Sequence, residues 1–264
     1  MVKIFAKFLA RKTKKFSGRN NSGSITVKHR GGGSKRNHWF IDFRRRLFDQ
    51  VGVIQRINQD SNRTGFVALV LYKESGVFSY ILCPEDNKQG DIIKSVSKMD
   101  GFDVFYSGFS TALRNVSSGV PIHNIEIKNS NGAKIARAAG VYGVVVRKLC
   151  LRNGKNVVGV KLPSKKVYYV SEKAFATLGK VSNCGHIFSI LFKAGQNRWR
   201  GIRPHVRGVA MNPVDHPHGG GEGKSSGGRS SVSCWGKKTK GYKTLKFKKK
   251  KKIQLLLSKI HKSN

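Results

Sequence analysis

The stretch GFVALVLYKESGVFSYIL, residues 65–82, decides the fold class. GFVALVLY (65–72) is a short, unbroken apolar run rich in Val, Leu and aromatics. That suits a strand buried on both faces and is too short for an ordinary helix. KESG (73–76) supplies a turn, and VFSYIL (77–82) runs back as a second strand. The pattern continues between Val51 and Phe109. Pro84, Asp86, Asn87 and Gly90 mark a loop before DIIKSV (91–96), and FDVFYSGF (102–109) reads as another strand. No segment keeps a 3.6-residue apolar period. Four or five short strands in about sixty residues predict a small closed barrel.

A second strand-rich block runs from Val120 to Ala194. IHNIEI (122–127) passes through Asn131-Gly132 into KIARAAG (134–140), and GVYGVVVRKLCL (140–151) meets Asn153-Gly154 before NVVGVKLP (156–163). Asn-Gly between apolar runs is the strongest short hairpin signal. VYYV (167–170), AFATLG (174–179) and HIFSILF (186–192) complete the block as further expected strands. The predicted class is all-β, two small barrels in tandem with long basic extensions at both ends.

Charge confines the partner. Lys and Arg total 52 against 13 Asp and Glu, a formal charge of +39 in 264 residues. A free globule so charged repels itself, which points to a polyanion. Residues 1–48 carry fourteen basic side chains and one acid, Asp42; residues 196–252 carry sixteen and two acids, Asp215 and Glu222. The middle, 49–195, has twenty basic against ten acidic and most of the apolar runs. Basic arms flank a foldable centre. Cys83, Cys150, Cys184 and Cys234 form no C-x-x-C pair. That excludes a common zinc ribbon and a disulfide framework, favours a reducing compartment, and leaves the thiols as small hydrophobes. No apolar run approaches the roughly 18 residues of a membrane span.

The arms carry the candidate chemistry. In the first, Val2, Ile4, Phe5, Phe8 and Leu9 fit one face of a short helix, read as an RNA-binding arm, a targeting segment or a disordered tail. Gly18–Arg46 follows with a glycine triplet, Gly31 to Gly33, bracketed by Lys28, His29, Arg30, Lys35 and Arg36. Trp39, Phe40 and Phe43 interleave with bases, an arrangement for stacking on nucleobases or for anchoring the arm to its neighbour. The second arm opens on RPHVRGVAMNPVDHPHGGGEGKSSGGR (203–229), too rich in Pro and Gly for a helix or central strand. It reads as a loop shaped against a polyanion, with Asp215, His216, His218, Lys224 and Arg229 around a triplet of glycines at 219–221. The lysine run 248–252 and IQLLLSKI (253–260) end the chain as an extended cation and a short amphipathic helix, a pairing also found in membrane-surface anchors.

Catalytic readings of this loop fare poorly. A phosphate-binding G-x-x-x-x-G-K-[ST] ends correctly at Gly223-Lys224-Ser225, but His218 stands at its first glycine. A metal on Asp215, His216, His218 and His205 lacks recognised ligand spacing. Acid–base work by His216 beside Asp215 needs a rigid substrate pocket that a glycine-rich loop does not provide. No cofactor and no metal are expected.

GVAMNPVDHPHGGGEG (208–223) with KSSGGR (224–229) closely resembles the signature of the universal large-subunit ribosomal protein two family, and GRNN (18–21) through GGGSKR (31–36) resembles its N-terminal arm. Ser34 departs from the family's usual His. The resemblance implies an OB-fold-like barrel over 49–119 and an SH3-like barrel over 120–195, between a basic arm of 1–48 and a glycine-rich extension of 196–264. It implies a structural, non-enzymatic constituent of the large subunit that binds large-subunit rRNA, supports subunit association and shapes the peptidyl transferase region. His216 matches a family histidine implicated in that region. Other ribosomal proteins and the small subunit across the intersubunit face are the implied partners, without homo-oligomers. The expected RNA contacts are Arg30, Gly32, Lys35, Arg36, Arg203, Arg207, Asp215, His216, His218, Gly220, Lys224 and Arg229. Lys-, Asn-, Phe- and Ile-rich wording and a short start before GRNN point to a mitochondrial ribosome, with plastid and bacterial cytoplasm as alternatives. A free nucleic-acid chaperone, binding any RNA or DNA alike, and a phosphoryl- or acyl-transfer enzyme are the rival classes.

Overall fold

The computed structural model describes residues 8–96, 106–150 and 156–242. The chain divides into two compact units, Met1–Lys14 with Lys35–Ile190, and Lys15–Ser34 with Leu191–Asn264.

The first unit is built almost wholly of antiparallel strands. β1 (Ala10–Lys12) pairs with β2 (Asn37–Trp39). β3 (Val51–Gln59), β4 (Phe66–Tyr72), β5 (Phe78–Leu82) and β6 (Ile92–Lys94) form a four-stranded sheet in the order β5-β4-β3-β6. β4 is its centre, as its apolar run demands: Val67, Ala68, Leu69, Val70 and Tyr72 are fully buried. Each larger side chain there contributes about 1.5–3 kcal/mol through burial. Ile54, Val70, Tyr72, Ile81 and Ile93 pack on one face, while Val67, Leu69 and Tyr80 meet Trp39 and Ile41 on the other. Trp39 therefore anchors its segment to this sheet, its ring 4.8 Å from that of Tyr80.

Six strands make the second sheet: β7 (Ser110–Ala112), β8 (Pro121–His123), β11 (Gly143–Cys150), β12 (Asn156–Lys161), β13 (Val167–Ser171) and β14 (Phe175–Leu178). β9 (Ile125–Glu126) and β10 (Ala133–Ile135) form a separate small pair. The order is β13-β12-β11-β8-β14-β7, so β7 belongs by pairing to this sheet. The β11–β12 hairpin expected around Asn153-Gly154 is present, with Cys150 opposite Asn156; the turn itself lies outside the described residues.

The all-β class holds, but the two sheets are open rather than closed barrels. Three of their four edges are met by neighbouring chain instead. Ile41 bridges Tyr80 on β5, and Ser95, just after β6, bridges Ser110 on β7. The backbone amide of Asp42 also donates to the Tyr80 carbonyl at 2.7 Å. Covering an edge blocks strand addition as closure does.

Three buried polar groups fasten this unit. The Arg45 guanidinium donates to Ser95 Oγ and to the carbonyls of Gly108 and Lys94, at 3.2–3.3 Å. Glu126 accepts backbone N–H bonds from Gly132 (2.9 Å), Ser130 and Phe175 (both 3.2 Å), tying β9, its turn and β14 together. His123, on β8, bonds the Gly179 carbonyl through Nδ1 at 2.9 Å, while its Nε2 has no partner. Burial pushes the His123 pKa down to about 4; the Gly179 bond opposes this and the Arg45 charge adds to it.

Several expected strands differ. IHNIEI is split at Asn124, whose φ is 51°. The described part of FDVFYSGF, 106–109, is irregular chain with a turn at Ser107-Gly108, and residues 102–105 lie outside the described set. HIFSILF is no strand: Cys184–Phe188 is a 3-10 helix followed by irregular chain. The amides of His186 and Ser189 are taken by the carbonyls three residues back, Asn183 and His186, so they are spent on turns rather than a ladder. Ile187, Phe188 and Phe192 stand more than 80 % or about 80 % exposed as a result. No disulfide joins the cysteines; Cys83 is buried as expected, but Cys150 is exposed. The helices expected over Val2–Leu9 and 253–260, and the lysine run, fall wholly or largely outside the described residues.

Candidate nucleic-acid interface

The second unit is two sequence-distant basic segments zipped together. Asn20 organises the first: its side-chain oxygen accepts the amides of Ser22 and Ser24 (3.1 and 2.9 Å), and Arg19 bridges Ile25. The Gly18 carbonyl then receives the amides of Thr26 and Val27. From His29 the segment runs against 199–203. Arg203 N–H donates to the His29 carbonyl, Gly31 N–H to Gly201 and Ser34 N–H to Trp199, at 2.9–3.0 Å. The rings of His29 and His205 meet at 4.3 Å. This close seam explains Gly33. Its φ is +78°, and a Cβ there would stand 2.7 Å from the Gly201 nitrogen and the Trp199 oxygen.

Beside the seam opens a hollow of about 750 Å³, whose lining combines Arg19, Arg30, Arg198 and Arg203 with the apolar side chains of Ile25 and Val27. A smaller adjoining recess of about 260 Å³ takes in the same arginines with Gly31 and Gly32. Among the described residues no carboxylate lines either space. The acids of 15–34 and 191–242 are Asp215 and Glu222 alone. Four guanidinium groups so gathered repel one another until an anion enters.

The signature loop is held by its own hydrogen bonds. The amides of Asp215 and His216 fold onto the Asn212 carbonyl (3.0 and 3.3 Å), and Gly220 N–H returns to Met211 at 3.1 Å. Gly219 leaves no room for a side chain: a Cβ would collide with the Met211 and Asn212 carbonyl oxygens. The histidine rings stack at 5.1 Å, 25° from parallel. His218 accepts the Val232 N–H at Nε2 (3.0 Å), so Nδ1 carries the proton and donates to Gly227 at 2.8 Å. His216 Nδ1 accepts the His218 N–H at 3.0 Å, which places its proton on Nε2, the remaining donor. His218 thus has no free lone pair for a metal, and His205 sits by His29 instead. Among the described residues no three His, Cys, Asp or Glu side chains gather as a metal site.

The structure therefore brings Arg30, Gly32 and Arg203 together in one recess and His216, His218 and Gly220 together in the loop. Arg207, Asp215, Lys224 and Arg229 are exposed on the same unit, whereas Lys35 and Arg36 belong to the other. Arg19 and Arg198 were not singled out by sequence. No local pattern groups them; the seam between 29–34 and 199–203 brings their segments together. Lys28 over Trp235 (4.6 Å) and Lys193 over Trp199 (4.9 Å) show these aromatics serving as cation platforms.

Among the described residues no helix is long and apolar enough to cross a membrane. Residues 6–95 match the family described as Ribosomal Proteins L2, RNA binding N-terminal domain, and residues 106–236 match Ribosomal Proteins L2, C-terminal domain. The chain is 48% identical over 236 residues to a large ribosomal subunit protein uL2 of Wolbachia pipientis subsp. Culex pipiens, covering 89% of this chain and 82% of that one. It is 50% identical over 243 residues to the uL2 protein of Wolbachia sp. subsp. Brugia malayi, covering 92% and 85%. Against that of Orientia tsutsugamushi it is 48% identical over 242 residues, again 92% and 85%. With a seam of basic segments, a signature loop and matches along most of its length, the chain belongs to the ribosomal protein L2 (uL2) family, a structural constituent of the large ribosomal subunit.

Proposed function

We propose that the chain works without a reaction of its own, as a cationic body around which large-subunit rRNA folds. The observation that carries this is the second unit, where basic segments from both ends are zipped together with almost no acid. Arg30, Gly32, Lys35, Arg36, Arg203, Arg207, Asp215, His216, His218, Gly220, Lys224 and Arg229 are its RNA contacts. The cations neutralise phosphates, and the loop groups hydrogen-bond phosphate or base edges. His216, with Nε2–H as its open donor, takes a structural role in organising the peptidyl transferase region. The division of labour is a basic arm over 1–48, β modules over 49–119 and 120–195, and an RNA-binding extension over 196–264. The protein works as a single copy among other ribosomal proteins and supports joining to the small subunit.

The compartment we favour is the mitochondrial matrix, on the Lys-, Asn-, Phe- and Ile-rich composition. The bacterial relatives favour a bacterial cytoplasm as the second reading. Sedimenting ribosomes from each compartment and locating this chain separates them.

The function is tested by binding the purified chain to large-subunit rRNA across salt. Contacts with 6–10 phosphates predict an affinity loss of about 10³–10⁵ between about 50 and 200 mM salt. An affinity indifferent to salt, or equal for unrelated RNA and DNA, refutes it. Turnover abolished by His216→Ala in RNA-free protein would show an enzyme instead.

A further inference from the structure

We propose that the arginine hollow is a seat for one unpaired RNA nucleotide, with its phosphate held by Arg19, Arg30, Arg198 and Arg203 and its base laid against Ile25 and Val27. This assignment rests on the chain's being an RNA-binding protein and goes further, naming which feature of RNA is read and by which residues.

Three observations lead there. The hollow, about 750 Å³, falls in the range that encloses a molecule of nucleotide size. A lone phosphate engages the guanidinium groups but leaves most of that space and its apolar wall unused. The wall is also unusual for its setting. Ile25 and Val27 are 57% and 52% exposed in a segment otherwise made of Gly, Ser, Asn, Thr and basic residues. Leaving two β-branched side chains in water beside four arginines has a physical reason if a flat apolar surface covers them. Finally, the shape is concave. Paired RNA presents a convex ridge of phosphates with its bases stacked out of reach, whereas an extruded nucleotide offers a phosphate and a free base face together. Arginine suits both halves, pairing with phosphate through its fork and stacking its plane on a base.

The seat exists only because the seam is closed. Arg19 and Arg30 come from the first segment, Arg198 and Arg203 from the second, and the Arg30–Ile202 bridge helps bring them around one recess. Neither segment alone presents the cluster.

The test compares two RNA hairpins of equal nucleotide number, one fully paired in its stem and one with a single unpaired adenosine there. The wild-type chain is expected to bind the bulged hairpin about tenfold more tightly. An Ile25→Ser, Val27→Ser variant keeps every charge, and both side chains are already more than half exposed, so folding is undisturbed. It should bind both hairpins as the wild type binds the paired one. An Arg19→Gln, Arg198→Gln variant should also lose the preference, and the slope of log affinity against log salt should fall by about two. Equal wild-type binding of the two hairpins, with steep salt dependence, overturns the seat while leaving RNA binding intact. A preference that survives both variants places the nucleotide elsewhere and overturns it too. Failure to bind either hairpin at any salt refutes the RNA-binding reading and the seat with it.

Discussion

His123 makes the stability of the first unit depend on pH in a direction that can be worked out. Its ring is fully buried on β8, Nδ1 is bonded to Gly179, and Nε2 has no acceptor to receive a second proton. Burial, helped by the Arg45 charge, lowers its pKa from 6.5 to about 4. The unfolded chain takes up the proton near the ordinary value, so between these two values the unfolded state binds more protons. A histidine whose folded pKa is lowered therefore supports the fold fully above about 6.5 and withdraws that support as pH falls. Linkage gives a loss of about 0.8 kcal/mol at pH 6, about 2 at pH 5 and about 3 at pH 4. The perturbation is His123→Asn, which keeps a polar group for Gly179 and does not titrate. Urea unfolding of both proteins, followed by far-ultraviolet circular dichroism at one high salt concentration, yields the difference in unfolding free energy at each pH. Carboxylates titrating in the same range cancel in that difference. The wild type should lose its advantage by about 3 kcal/mol from pH 7.5 to 4. A difference constant over that range would refute the buried, neutral imidazole.

Three further outcomes follow from single contacts. Gly33→Ala should weaken rRNA binding about tenfold more than Gly23→Ala. Both glycines have nearly the same positive φ, +78° and +79°, but only Gly33 has backbone within 2.7 Å of the added methyl, so filter binding of the pair isolates the seam. Glu126→Gln should cost about 2–4 kcal/mol in urea unfolding, because an amide offers one acceptor oxygen and turns donors toward backbone N–H groups. Alkylation at pH 8 read by mass spectrometry should label exposed Cys150 and spare Cys83, whose thiol burial pushes up to about 12.

What could be read from sequence was what neighbouring residues decide. GFVALVLY became β4 because its whole length is apolar, and β11 pairs with β12 because the flanking apolar runs match. Sheet closure depends on what meets β5 and β6 at their edges, and those are Ile41 and the Ser95–Ser110 bridge, which no local pattern announces. HIFSILF carries a strand's composition, yet Asn183 at φ +67° starts a 3-10 turn that captures its amides. The site was legible in type and not in arrangement. Arg30 and Arg203 belong to separate sequence motifs, and only the backbone seam sets them beside Arg19 and Arg198. The glycine triplets stand in loops that the sequence alone presents as shaped against a polyanion. Gly33 and Gly219 instead admit the chain's own carbonyls and amides.

The two units differ in what holds them, and the difference bears on function. Every buried side chain among the described residues lies between Arg45 and Ser182, in the first unit. The second has none, and its shape rests on turn hydrogen bonds, a backbone seam and glycines that permit close approach. Net stabilisation from each such bond is about 0.5–1.5 kcal/mol, similar to the entropy lost by ordering one residue. Clustered guanidinium groups then add repulsion with no carboxylate to offset it. A segment in that balance has its conformation specified but not strongly stabilised by its own contacts, so the missing free energy has to come from an anionic surface. In the function proposed above, phosphates at the arginine hollow and around the His216–His218 stack are what supply it, removing the repulsion while reading a geometry the hydrogen bonds already define.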